Sequence, residues 1–166
     1  MNFKYYFRRL QEHNIFRKFA KEYPNSYFCS GFFTIDKEGD DNKQHFDFFI
    51  PETGKIASFQ MENDCKQANI EPPKEEPVGK IALDFDIDFE ELEKKIYEKM
   101  RANGINNRIQ KMIFSLQKAG GKDCLAGTVF ISMFGLIRIN FDVRQSEITD
   151  FEKKSLFDMI NIFKKN

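Results

Sequence analysis

The chain has no tryptophan, only two histidines and three cysteines, and its 26 basic residues are balanced by 26 acidic ones. Each scarcity excludes something. Cys29, Cys65 and Cys124 are odd in number and far apart, which rules out a disulfide framework and provides no CxxC pair for zinc. Zero net charge removes any global attraction to nucleic acid or anionic lipid. No apolar run is long enough to cross a membrane, and the N-terminal stretch Met-Asn-Phe-Lys-Tyr-Tyr-Phe-Arg-Arg-Leu breaks up its apolar residues with charge, so no signal peptide is expected. These readings place the protein in the cytoplasm. GxGxxG, Walker A, GxSxG, HExxH and kinase signatures are all missing, and the expectation is a non-enzyme without a cofactor.

What the chain has in excess is phenylalanine, 20 copies in 166 residues, ample for a core of ordinary size. Charge is unevenly spread. Residues 1–22 hold six basic and two acidic groups, 36–93 hold six and seventeen, and 94–166 hold fourteen and seven. Either these blocks face one another on solvated surfaces, or the basic ends form a patch for an acidic partner.

Phe3, Tyr6, Phe7 and Leu10 recur at helical spacing behind the cap Asn2. Asn14 is the expected cap of a second helix bearing Phe16, Phe19, Ala20 and Tyr23, which Pro24 ends. The aromatic and β-branched run 27–35, then 45–50 and 55–61 around the turn Pro51-Glu52-Thr53-Gly54, read as an antiparallel meander. Residues 62–78, acidic with three prolines, read as a mobile loop within one domain spanning 1–166.

Beyond it, Ile81, Leu83, Phe85 and Ile87 alternate as in a strand, and Asp88 with Glu91 forms a capping box for a helix carrying Phe89, Leu92, Ile96 and Met100 to a stop at Gly104. Ile109, Met112, Ile113 and Leu116 predict a further helix over 107–118, closed by Gly120-Gly121. Residues 125–133 and 136–143 predict a hairpin about Phe134-Gly135. Thr149 with Glu152 predicts a final helix with Phe151, Leu156, Met159, Ile160 and Phe163 on one side. No internal repeat stands out. The expected fold is α+β: a single twisted, mainly antiparallel sheet of five to six strands with helices packed mainly on one face.

Three chemistries deserve weighing. Asp84 and Asp86 alternate on one strand face, where carboxylates can hold a divalent metal, so a small metal-dependent enzyme is one alternative; the plain reading is a solvated face with Asp88 used as a cap. Cys29 with His13 and His45 supplies the residue types of a thiol nucleophile, set against a buried strand cysteine acting as a small hydrophobe. Basic helices touching phosphate would make an RNA-associated factor, the second alternative, but the aromatic strands lie in the acidic third, which argues against nucleic acid. The leading expectation is a chaperone-like or adaptor-like binding module that docks a protein partner or a second copy through Phe33, Phe46, Phe48, Phe49 and Phe163.

The stretch Tyr27-Phe28-Cys29-Ser30-Gly31-Phe32-Phe33-Thr34-Ile35-Asp36, with Asp47-Phe48-Phe49-Ile50-Pro51-Glu52-Thr53-Gly54-Lys55-Ile56-Ala57-Ser58-Phe59, resembles a group of small uncharacterised archaeal proteins over residues 16–61. The resemblance implies a source and no activity. The element order also looks like that of the small secretion-chaperone fold.

Overall fold

Asn2 accepts a hydrogen bond from the Tyr5 N–H at 3.0 Å and so opens α1, Phe3–Glu12, which buries Phe3, Phe7 and Leu10 on one stripe. A second helix, α2 (Asn14–Glu22), includes its expected cap Asn14 as first residue: His13, one residue earlier, holds the cap position, its Nδ1 accepting from the Ile15 N–H. The third, α3 (Phe89–Ala102), starts where Asp88 accepts from the Glu90 and Glu91 N–H groups and buries Phe89, Leu92, Ile96 and Met100. The structure is a computed structural model that describes residues 1–71 and 78–155.

Eight strands form one antiparallel sheet: β1 (Tyr27–Asp36), β2 (Lys43–Ile50), β3 (Lys55–Gln60), β4 (Lys66–Ile70), β5 (Ile109–Ala119), β6 (Lys122–Ile131), β7 (Gly135–Asp142) and β8 (Glu147–Ser155). Their order across the sheet is β4-β3-β2-β1-β5-β6-β7-β8. Two four-stranded meanders, each preceded by helix, therefore meet where β1 pairs antiparallel with β5. Equivalent strands begin 82, 79, 80 and 81 residues apart. Even a bulge recurs, between Phe28 and Ser30 in β1 and between Ile109 and Lys111 in β5, each 81 residues apart. The two meanders thus repeat one strand plan, a regularity that the sequence reading did not pick out. The signal is present in the sequence as Phe49-Ile50 and Phe130-Ile131, each followed by Gly54 and Gly135 at the same distance.

The eight-stranded sheet overturns the expected count of five to six strands, and with it the likeness to the secretion-chaperone order. The helix expected over 107–118 is instead the strand Ile109–Ala119, and Gly120-Gly121, at φ of 56° and 79°, is its hairpin turn and not a helix cap. Residues 147–155 are likewise strand; the rest of the expected terminal helix lies outside the described residues. Bulges explain both misreadings. In β5 the extra residue near Gln110 puts Ile109 and Met112 on one face, and in β8 the shift opposite Asn140 and Phe141 does the same for Ile148 and Phe151. Apolar residues three apart then imitate a helical stripe.

Two smaller corrections concern the middle of the chain. Loop 62–78 contains the edge strand β4, exposed along its length. Residues 80–87 are an extended strap without a ladder partner: Ile81 N–H donates to the Phe28 carbonyl, Phe3 N–H donates to the Ile87 carbonyl, and Ile81, Phe85 and Ile87 are buried while Leu83 is exposed.

All three described helices cover the same sheet face. Phe3 and Phe7 pack at tilted and edge-on angles against Phe28 and Phe46, Phe16 and Phe19 meet Phe48 and Phe59, and Phe89 lies against Phe33 and Phe114. These rings form one continuous core with Met112, Leu116, Leu125, Val129, Ile137, Ile139 and Phe141.

Candidate functional site

The opposite face is the candidate interface. Cross-strand register places Tyr27, Phe49, Ile56 and Ile70 in one row, Ser30, Asp47, Ser58 and Ala68 in the next, and Phe32, His45, Gln60 and Lys66 in a third. Past β1 the rows continue as Phe32, Ser115, Ala126, Asn140 and as Thr34, Ile113, Thr128, Arg138. Tyr27, Phe32, Phe49 and Ile113 are half-buried and belong to no part of the helix-covered core. The Tyr27 and Phe49 rings lie 5.4 Å apart, and Phe32 stands 5.7 Å from the His45 ring. Over β5 to β8 this face has a depression of about 370 Å³ floored by Ser115, Ala126 and Thr128 and rimmed by Arg138, Asn140, Asp150 and Glu152.

Polar groups on this face are tied to each other. Ser30 Oγ donates to Asp47 Oδ2 at 2.7 Å, while Asp47 Oδ1 is buried and takes no hydrogen bond among the described residues. His45 Nε2 lies 2.5 Å from Glu62 Oε1. The Cys29 thiol points to the Asp47 carbonyl at 3.3 Å, and burial, aided by the Asp47 charge, pushes its pKa up to about 12. The thiol therefore stays protonated at neutral pH. His13 is committed elsewhere, its Nε2 3.2 Å from Asp64, so the three residues of the nucleophile reading do not assemble.

The five aromatics expected at a partner surface divide. Phe33 and Phe46 are fully buried and Phe48 nearly so, all beneath the helices; Phe49 alone of the described four lies on the open face; Phe163 is outside the described residues. A strand shows one side chain in two to each face, so Phe48 and Phe49 had to part. The neighbours that complete the open surface, Tyr27, Phe32 and Ile113, were not singled out in the sequence, although Tyr27 and Phe32 share the strand run that was.

Asp84 and Asp86 also diverge. Asp84 takes the Arg144 guanidinium at 2.7 Å; Asp86 accepts from the Lys4 and Ile87 N–H groups and from Asn2 Nδ2, fastening the strap to the start of α1. Among the described residues no group of three or more His, Cys, Asp or Glu side chains could hold a metal ion. Exposed Arg8, Arg17, Lys18 and Lys21 line the outer side of α1 and α2, where Arg9 also lies over the Tyr5 ring at 5.9 Å.

One charged group escaped the sequence reading. Asp123, its side chain 1% exposed, accepts from the Ala82 N–H and sits 2.9 Å from Lys118 Nζ and 3.5 Å from Arg144. The only signal for it is the Lys118 and Asp123 pairing across Gly120-Gly121, visible once that turn is read as a hairpin. No described helix is long and apolar enough to cross a membrane. Comparison with protein families, with curated proteins and with solved structures finds no match.

Proposed function

We propose that the chain is a non-enzymatic binding module whose open sheet face docks a protein partner. One observation carries this reading: all three described helices close a single face of an eight-stranded sheet, while the other face keeps Tyr27, Phe32, Phe49 and Ile113 half-exposed in neighbouring rows. An aromatic surface ringed by polar groups, here Arg138, Asp150, Glu152 and Lys66, has the make-up of a protein interface, where rings supply area and the rim excludes water. The favoured partner is a protein and not RNA, because the charges beside the aromatic rows are of mixed sign, Asp47, Asp150 and Glu152 with Lys66 and Arg138, and form no continuous basic track for a phosphate backbone.

The test compares the wild-type full chain with the double variant Phe32→Arg/Phe49→Arg, both tagged and recovered from the native host with nuclease present. The variant is expected to keep its circular dichroism and lose a stoichiometric protein partner. Equal recovery of that partner by a folded variant would sink the reading, and light scattering on the purified chain reveals whether the partner is a second copy.

A further inference from the structure

One register row of the open face crosses all eight strands. On the first meander it carries Phe32 and His45, whose rings stand 5.7 Å apart, then Gln60 and Lys66. On the second it carries Ser115, Ala126, Asn140 and Asp150. The row is bulky on one side of the β1–β5 seam and small on the other, where Ser115 and Ala126 floor the hollow of about 370 Å³. Knob and hollow thus lie on the same face, on either side of one line.

We infer that this face packs against the same face of a second copy of the chain, an inference that rests on the open face being a docking surface and names its occupant. A two-fold axis along the strands at the seam lays β1 on β5 of the second copy, β2 on β6, β3 on β7 and β4 on β8. Within the row it sets Phe32 over Ser115, His45 over Ala126, Gln60 over Asn140 and Lys66 over Asp150. Rings meet small side chains, amide meets amide, and cation meets anion, each twice. Lys66 and Asp150 are both exposed, and neither makes an ion pair within the chain among the described residues.

The size suits a stable dimer. Eight strands at about 4.8 Å spacing make the row about 34 Å long, and with the neighbouring rows of Ser30 and Thr34 the face is about 20 Å wide, roughly 700 Å² per copy. Interfaces of standard size bury about 800 Å² per partner. A formal net charge of zero adds no repulsion between copies. A protein of different sequence would have to present hollow and rings in the reversed order, which a second copy does by symmetry alone.

Analytical ultracentrifugation of the purified full chain tests this. The wild type is expected to be a dimer at micromolar concentration. Phe32→Arg and Ser115→Asp should each keep their circular dichroism and raise the dissociation constant at least about a hundredfold, because the axis repeats every contact. An equimolar mixture of the two should recover a dimer: the introduced arginine of one chain meets the introduced aspartate of the other, while the remaining Phe32 keeps its Ser115. The exposed pair gives a second readout that unfolding cannot imitate, since Lys66→Asp and Asp150→Lys should each weaken the dimer about threefold and the double variant should restore it. A monomeric wild type, a dimer that neither Phe32→Arg nor Ser115→Asp weakens, or a mixture and a double variant that both fail to recover it would overturn the inference. The docking reading keeps its own test: a folded Phe32→Arg/Phe49→Arg chain that loses a partner of different sequence would uphold the face as a docking surface and reject self-association through it.

Discussion

Phe33 and Phe114 face each other across the β1–β5 seam, and the Phe89 ring of α3 lies over both, 5.1 Å from one centroid and 5.5 Å from the other. The seam joins the two meanders, so this triad ties both halves and a helix into one core. Removing either strand ring leaves a void that rigid neighbours fill poorly, and Phe33→Ala or Phe114→Ala should each cost about 3 to 5 kcal/mol. Because the two rings border the same void, the double variant should lose less than the sum. Denaturant titrations of the four proteins check this; strict additivity would show that the halves pack independently.

Elements with one uninterrupted period were legible. Phe3, Phe7 and Leu10 mark a helix without ambiguity, and Asp88 marks the start of α3 by the chemistry of its side chain. In β7, Ile137, Ile139 and Phe141 alternate over a hairpin long enough to be unmistakable. The errors have a common cause. Ile109 with Met112, and Ile148 with Phe151, sit three apart on one face because a bulge adds a residue, and Ile113 looked helical because the open face also carries apolar side chains. The candidate face was half legible for a related reason: the aromatic excess was plain, but its assignment to a side needs the register that the bulge at Cys29 alters.

Asp123 is a buried carboxylate that two cations compensate unequally. Lys118 Nζ is close but off the hydrogen-bonding axis of Oδ1, so it acts chiefly through its charge, while half-exposed Arg144 is shared with Asp84. Asp123→Ala should cost about 3 kcal/mol, since Lys118 loses its buried counter-charge and the Ala82 N–H loses its acceptor. Arg144→Ala should cost about 1 kcal/mol or less, because water replaces much of its contact. Thermal unfolding at neutral pH distinguishes the two, and a larger loss from the arginine would overturn this ranking.

Asp36 orders the loop after β1: its carboxylate accepts from the Glu38, Gly39 and Asp41 N–H groups and lies 3.8 Å from Lys111. Those hydrogen bonds, the one from Glu38 foremost, hold its pKa below the ordinary aspartate value of 3.8. A carboxyl with a depressed folded pKa stabilises the native state above its unfolded pKa and loses that contribution as pH falls through the folded one. Asp36→Asn should therefore melt below the wild type at neutral pH, and the gap should narrow once the pH drops below 3.8. A gap that stays constant down to the acid limit would mean the charge is irrelevant to the loop.

Cys29 offers a direct check on how far burial suppresses the reactivity of a thiol in this sheet. At a pKa of about 12 its thiolate fraction at pH 8 is on the order of one in ten thousand, and the side chain is 5% exposed, so burial and ionisation suppress reaction together. Cys124 is half-buried on the open-face side of β6, its pKa also raised by burial. Brief iodoacetamide treatment of the folded chain at pH 8 should thus leave Cys29 unmodified while labelling Cys124, and unfolding in guanidinium should make the two equally reactive. Peptide mass spectrometry reads both sites at once. Labelling of Cys29 in the folded chain at the Cys124 rate would mean that the strand pair β1–β2 opens at its bulge, and would restore the thiol as a candidate nucleophile.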